Sequence, residues 1–168
     1  NAGKVRTQGL EADFSVRPSE RLNAYVNAAY TDAKYKKFVD APCAPELSGG
    51  SSSPANCDIS GAQLPGVSKW ALSFGIEANT EAELFGEAGQ FYIGYDGSYR
   101  SKFSSNPTPS AYTWIEGYSL SNLRAGFRAE KGFEAYAWVR NVLNKDYMDQ
   151  LFVGPGNTGL ITGLPGDP

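Results

Sequence analysis

Lys69-Trp70-Ala71-Leu72-Ser73-Phe74-Gly75-Ile76-Glu77-Ala78-Asn79 is the stretch on which the fold turns. Trp70, Leu72, Phe74, Ile76 and Ala78 take every second position, and Lys69, Ser73, Gly75, Glu77 and Asn79 fill positions between them. An extended chain separates these two sets because its side chains point alternately to opposite faces, whereas a period of 3.6 residues would mix them. The segment reads as a β-strand with one uncharged apolar face and one polar face.

The same alternation recurs on both sides of it. From Lys4 to Arg17, Leu10, Ala12, Phe14 and Val16 oppose Glu11, Asp13, Ser15 and Arg17. From Leu22 to Tyr30, Leu22, Ala24, Val26, Ala28 and Tyr30 oppose Asn23, Tyr25 and Asn27. Downstream, Phe91, Ile93, Tyr95 and Tyr99 oppose Gln90, Asp96, Ser98 and Arg100, while Leu123, Ala125, Phe127 and Ala129 oppose Asn122, Arg124 and Arg128. A sixth run, Phe133 to Arg140, sets Ala135, Ala137 and Val139 against Glu134, Tyr136, Trp138 and Arg140; aromatics on its nominally polar side leave its orientation open.

The connections alternate as well. Pro18 to Arg21 and Glu130 to Gly132 are tight, and Thr80 to Gly89 is moderate. The other links, from about Lys36 to Gly66, Ser101 to Gly117 and Met148 to Gly163, are long and rich in Gly, Pro, Ser and Asn. Short turns on one rim and long loops on the other form the pattern of a transmembrane β-barrel, with turns periplasmic and loops extracellular. A soluble antiparallel sandwich would alternate too. Against it, the apolar faces hold no Lys, Arg, Asp or Glu over their central stretches, as expected where a midplane charge costs about 2 to 4 kcal/mol. The opposite faces mix acids and bases, which suits a wet lumen. Tyr30, Tyr35, Trp70, Tyr99 and Phe103 gather near strand ends, where an interfacial girdle would lie.

The 168 residues have the length of one domain, and 19 Gly, 10 Tyr, 9 Phe and 3 Trp with no His favour strands, turns and interface belts over helix. A net charge of -3 with scattered basic residues lacks the footprint of a nucleic-acid binder. No run of 18 apolar residues is present, which excludes a transmembrane helix; a mean hydropathy of -0.38 says nothing against membrane strands, because those alternate. Cys43 and Cys57 lie 14 residues apart in one Gly/Ser/Pro-rich stretch, a spacing that suits a local disulfide in an oxidising compartment better than a zinc site. Such a bridge would stabilise by roughly 3 kcal/mol in the chain-entropy picture and stiffen a surface loop for ligand capture.

Enzyme chemistry has little to stand on. Without His there is no imidazole base, no Ser/His/Asp constellation and no facial metal triad. Glu11 and Asp13 share a strand face and read as lumen carboxylates rather than a glycosidase pair. Gly154-Pro155-Gly156-Asn157-Thr158-Gly159 satisfies G-x-G-x-x-G, yet Leu160 to Pro168, with two Gly and two Pro, cannot supply the helix N-terminus that a dinucleotide needs. Neither cofactor nor metal is expected. Tyr112, Trp114 and Ile115 stand beside Asn106-Pro107-Thr108-Pro109 in the second long loop; Tyr112 and Trp114 are candidate ligand-stacking residues, with girdle packing as the alternative.

A family resemblance becomes specific on four segments. Asn1 to Glu11 (Asn-Ala-Gly-Lys-Val-Arg-Thr-Gln-Gly-Leu-Glu), Ala28 to Tyr35, Leu64 to Trp70 and Val139 to Tyr147 (Val-Arg-Asn-Val-Leu-Asn-Lys-Asp-Tyr) resemble, in order and spacing, the C-terminal part of TonB-dependent outer-membrane receptors. Gly163 to Pro168 is similar to the loop before that family's last strand, and Val142 replaces its usual Leu. The resemblance implies that residues 1–168 form an all-β, antiparallel arc of a 22-stranded plugged barrel, with about six strands. The final strand would follow Pro168, the plug would precede Asn1, and the first and sixth strands would present open edges. It also implies a bacterial outer-membrane location, lipid around the barrel, and capture of a siderophore, carbohydrate or cobalamin at extracellular loops. Import would use energy from a TonB-type inner-membrane partner through the N-terminal region. A soluble all-β ligand-binding module, lectin-like or lipocalin-like, and an enzyme on a β scaffold are the competing readings.

Overall fold

The computed structural model describes residues 3–47, 56–108, 110–154 and 159–166. Its strands are β1 (Lys4–Ser19), β2 (Leu22–Lys37), β3 (Trp70–Leu84), β4 (Glu87–Arg100), β5 (Phe103–Ser104), β6 (Trp114–Ile115), β7 (Tyr118–Ala129), β8 (Glu134–Val139), β9 (Met148–Val153) and β10 (Ile161–Pro165). Six of them form one open antiparallel sheet in the order β1-β2-β3-β4-β7-β8, and β5-β6 and β9-β10 are separate two-stranded ribbons. Two single-turn 3₁₀ segments, Pro45–Leu47 and Ala111–Thr113, are the helical structure among the described residues, and no helix there is long and apolar enough to cross a membrane.

The pairing registers place all the apolar sets on one face. Leu10 pairs with Tyr30 and Tyr30 with Trp70; Phe14, Val26, Phe74 and Gly97 form another row. Val16, Ala24, Ile76, Tyr95, Leu123 and Val139 make a row across the whole sheet. The register also resolves the sixth run: Ala135, Ala137 and Val139 of β8 oppose Phe127, Ala125 and Leu123, so Tyr136 and Trp138 stand on the polar face with Arg124 and Arg128.

This apolar face has no protein cover, since Leu10, Phe14, Val26, Ile76 and Ile93 are all exposed, and an uncovered apolar surface of this extent demands an apolar surrounding. Its height fits a membrane. The Tyr30 and Trp70 rings, with centroids 5.0 Å apart, mark the loop-side limit, and charge resumes beyond them at Asp32, which pairs with Arg6 and Lys34. At the turn-side limit Phe91, paired with Thr80, stacks on Phe127 at 5.0 Å. Trp70 to Thr80 spans about 33 Å of strand, and a tilt of about 40° makes this about 25 Å of height, the apolar band of an outer-membrane barrel.

Among the described residues no buried side-chain polar atom lacks a partner. The Tyr95 hydroxyl donates to Ser121 Oγ at 2.8 Å, which avoids an orphaned phenol facing hydrocarbon. Beside it Phe74 lies flat over Gly97, where a Cβ would come within 2.7 Å of both Phe74 Cζ and the Leu120 carbonyl oxygen.

Several expectations need correction. The moderate link from Thr80 to Gly89 is strand up to a two-residue turn at Phe85 and Gly86, and β2 runs on past Tyr30 to Lys37. From Thr80 to Gly89 the alternation continues with charged residues, which the reading took for a link, whereas β2 ends close to where the long link was placed, at about Lys36. Met148 to Gly163 is not a long open loop but carries the β9-β10 ribbon, with Val153 opposite Ile161 and Met148 opposite Pro165. Tyr35 and Phe103 do not belong to the girdle: both are buried in clusters formed by the loops. The first and sixth strands, β1 and β8, are the open edges of the sheet.

Gly97→Val forces Phe74 and the β7 backbone apart at once, so the barrel is expected to lose about 1 to 3 kcal/mol. The check is the urea midpoint of the protein, read as loss of the heat-modifiable band on a gel.

Candidate functional site

The three long connections meet at one rim. The first is built around the Cys43–Cys57 disulfide, with an S–S distance of 2.09 Å and a Cα–Cα distance of 5.0 Å. Ala41 and Cys57 exchange backbone hydrogen bonds at 3.1 and 2.8 Å, and Tyr35, Ala41 and Ile59 bury a small core against Phe38, Ala62 and Leu64. The described parts of this loop therefore pack around an apolar centre of their own, and the two cysteines are bridged as their spacing suggests.

Side-chain and backbone ties join this unit to the second loop. The Glu46 carboxylate accepts from the Ser110 hydroxyl at 3.0 Å and from the Ala111 N–H at 2.7 Å. Gly66 N–H donates to the Ser104 carbonyl at 2.7 Å, and Arg100 reaches Ser68 Oγ at 3.1 Å and the Gly66 carbonyl at 3.0 Å while its guanidinium lies 3.6 Å over the Phe103 ring. The second loop is tied in turn to the third. Ser105 Oγ donates to the Leu151 carbonyl and accepts from the Leu151 N–H, both at 2.9 Å. Phe103, Ile115 and Tyr118 form a buried cluster with Leu120, Tyr147 and Leu151, in which the Tyr118 and Tyr147 rings stand 4.5 Å apart.

Two cavities open in this roof. One of about 520 Å³ is lined by Trp114, Tyr118, Asn144, Lys145, Tyr147 and Met148, among others. The other, about 580 Å³ and more open, lies between Gln63, Lys69, Trp70, Ser101, Lys102 and Trp114. Both volumes fall within the range of small-molecule sites. Trp114 is common to the two, and Lys102, ion-paired with Glu116, has its ammonium 5.8 Å from the Trp114 ring. Aromatic walls with a few amide and cationic groups suit a polar, ring-bearing solute.

Trp114 lines both cavities at this rim. Tyr112 is 67 % exposed on the neighbouring 3₁₀ turn and lines neither of these cavities; Ile115 is buried in the loop cluster rather than presented to solvent. Sequence reasoning missed Tyr118, Tyr147, Lys102 and Glu46. Tyr147 closes the Val139 to Tyr147 motif and so had a signal; Glu46, in a Gly/Ser/Pro-rich stretch, had none. Among the described residues no group of His, Cys, Asp or Glu is placed to hold a metal ion. Of the G-x-G-x-x-G string, residues 155–158 lie outside the described residues, as do Asn1, Ala2, Pro109, Asp167 and Pro168.

Below the roof the polar face carries a ladder of ionic contacts. Glu77 bridges Arg124 at 3.0 Å and Arg128 at 3.2 Å. Arg128 also meets Glu134 at 3.2 Å, Glu134 accepts from the Tyr92 hydroxyl at 2.7 Å, and the Arg128 guanidinium lies 4.1 Å over the Tyr92 ring. Asn27 donates to Ser73 at 3.1 Å and Asn122 to Asp96 at 2.9 Å. Glu11 and Asp13 border a shallow recess with Asn27 and Ser73 on the same face. Mixed charges satisfied in this way describe the wall of a hydrated channel.

The family described as TonB dependent receptor-like, beta-barrel matches residues 1–142. No curated protein and no solved structure matches the chain.

Partial burial raises the pKa of Glu46, but the hydrogen bonds from Ala111, from its own backbone and from Ser110 outweigh that and leave it below the ordinary glutamate value. A depressed folded pKa means that the tie is intact above the unfolded value and is lost as pH falls through the folded one. Hydrogen exchange at the Ala111 amide, corrected for intrinsic rates, is expected to show protection at pH 7 that is lost only once the pH has fallen below the ordinary glutamate range. Glu46→Gln should flatten that pH dependence.

Proposed function

Because the chain belongs to the TonB-dependent receptor-like β-barrel family, we propose that residues 1–168 supply the wall and rim loops of a receptor that captures a nutrient at its extracellular roof and passes it through the lumen. Members of this family are importers of the bacterial outer membrane, transporters rather than enzymes, and the match favours this reading over a soluble binding module. The observation that carries the reading is the single roof built from three tied loops, with Trp114 facing two cavities above a polar wall. The solute is a siderophore, carbohydrate or cobalamin, each offering rings to stack on Trp114 and polar groups for Lys102, Asn144 and Lys145. Tyr112 provides a second, more exposed stacking surface on approach.

The path follows from the two faces of the sheet. The uncharged face lies in lipid, and the ladder from Glu77 to Glu134 lines the way through, so that a polar solute meets water and fixed charges rather than hydrocarbon. Energy reaches the barrel from a TonB-type inner-membrane partner through a region of the receptor outside this chain. No bond of the solute is made or broken.

Two measurements test this. When cells expressing the full-length receptor are fractionated and shaved with protease, the protein should appear in the outer membrane with cleavage inside the 43–57 loop; recovery in the soluble fraction would sink the reading. For the site, Trp114→Ala is expected to weaken solute binding roughly tenfold, about 1.4 kcal/mol, and Tyr112→Ala about two- to threefold, the span of single aromatic contacts. Unchanged affinity in the Trp114 variant would remove it from the site.

A further inference from the structure

The turn between β3 and β4 breaks the rules that the other short turns obey. It has two residues, Phe85 and Gly86, between the paired Leu84 and Glu87, with φ of +54° and +79°. Both therefore occupy the left-handed region, the geometry of a type I′ hairpin turn, for which Asn-Gly is the preferred sequence. Gly86 is suited to it. Phe85 is not: a bulky aromatic with positive φ is an outlier, because its Cβ crowds the following carbonyl. By contrast, the β7-β8 turn places Gly132 at its left-handed position, with φ of +93°, and the β1-β2 turn uses the polar pair Glu20 and Arg21.

Phe85 gains nothing from packing in return. It is 94 % exposed, the largest value of any large apolar side chain among the described residues. Strain held by an exposed aromatic has no folding rationale, and the inference runs from such an outlier towards function.

The position of the turn narrows what could receive it. The hairpin continues five residues past the Thr80–Phe91 pair, about 16 Å of strand and about 12 Å of height at a tilt of about 40°. The interfacial layer beyond the hydrocarbon is only about 5 to 7 Å deep, so Phe85 stands clear of the bilayer, in the aqueous space on the turn side. The flanking charge is acidic: Glu81, Glu83 and Glu87 adjoin the tip, and Lys131 pairs with Glu87 at 2.7 Å. Such a surface disfavours anionic lipid and complements a cationic partner.

We propose that the β3-β4 turn is a docking knob for a periplasmic polypeptide that presents an apolar pocket flanked by Lys or Arg, with Phe85 as the inserted side chain. The orientation rests on the receptor reading. An aromatic anchor seated in a pocket and ringed by complementary charge is the usual anatomy of an interface hot spot, and the two-residue turn fixes the direction in which the ring is offered.

The test uses the full-length receptor in cells, with the photo-reactive residue p-benzoylphenylalanine at position 85 or, as control, at position 20 in the β1-β2 turn. The position-85 probe is expected to give a polypeptide adduct at least tenfold above the control, attached through a Lys- or Arg-rich peptide, and to fall at least tenfold in the Glu81→Lys/Glu83→Lys variant. Phe85→Asn places the favoured residue in the turn, so the barrel should reach the outer membrane with an undiminished heat-modifiable band while co-isolation of the same polypeptide is lost. Adducts to lipid only, no adduct above control, or an adduct indifferent to charge reversal would each overturn the knob while leaving an intact receptor in the outer membrane. A receptor absent from that fraction would instead overturn the receptor reading, and the knob with it.

Discussion

The structure depends on phase: the alternation of every strand in the sheet must agree with that of its neighbours. The period of a strand is two, so slipping any pairing by one residue would carry its polar set to the apolar face. For β3 that would turn Glu77 into lipid, and for β7 Arg124, an arginine costing about 2 to 4 kcal/mol at the midplane and a carboxylate less. Residues that look unremarkable singly, such as the alanines of β2 and β8, hold their place because they keep the uncharged rows unbroken.

From that phase the two sides of the sheet acquire different physics. On the lipid side, the hydroxyl of Tyr95 must find Ser121, and Phe74 needs the missing side chain of Gly97 to lie against the sheet. On the lumen side, charges can be numerous because water and opposite charges accompany them. Glu77 serves two arginines and Arg128 two carboxylates, which links β3, β7 and β8 laterally without burying an ion. Half-exposed pairs of this kind add little stability singly; their effect is to hold side chains in set positions along the channel wall.

Much of this was legible in the amino-acid sequence because alternation is a local signal. The six strands of the main sheet, the apolar faces of the first five and the rim on which the long loops gather followed from residue order alone, and the cysteine spacing anticipated the bridge in the first loop. What escaped has physical reasons. Thr80 to Gly89 looked like a link because Glu81 and Glu83 raise its charge while keeping the alternation and Phe85 does not announce a turn; the short β9-β10 ribbon is held by contacts with Tyr118, Tyr147 and Ser105 rather than by its own pattern. The Glu46 tie joins residues more than 60 positions apart, Glu46 and Ala111, and each cavity draws together residues of different loops, from Gln63 to Trp114 in one and from Trp114 to Gly166 in the other; no spacing within one loop announces such a meeting.

The ties among the loops bear on how such a rim can change. Glu46 in the first loop holds Ser110 and Ala111 in the second, and Ser105 in the second holds Leu151 in the third. A substitution that reshapes one loop therefore strains its neighbours, and an insertion tolerated by a free surface loop would here displace three. The shape of this rim therefore cannot be altered one loop at a time; it requires matched changes in several.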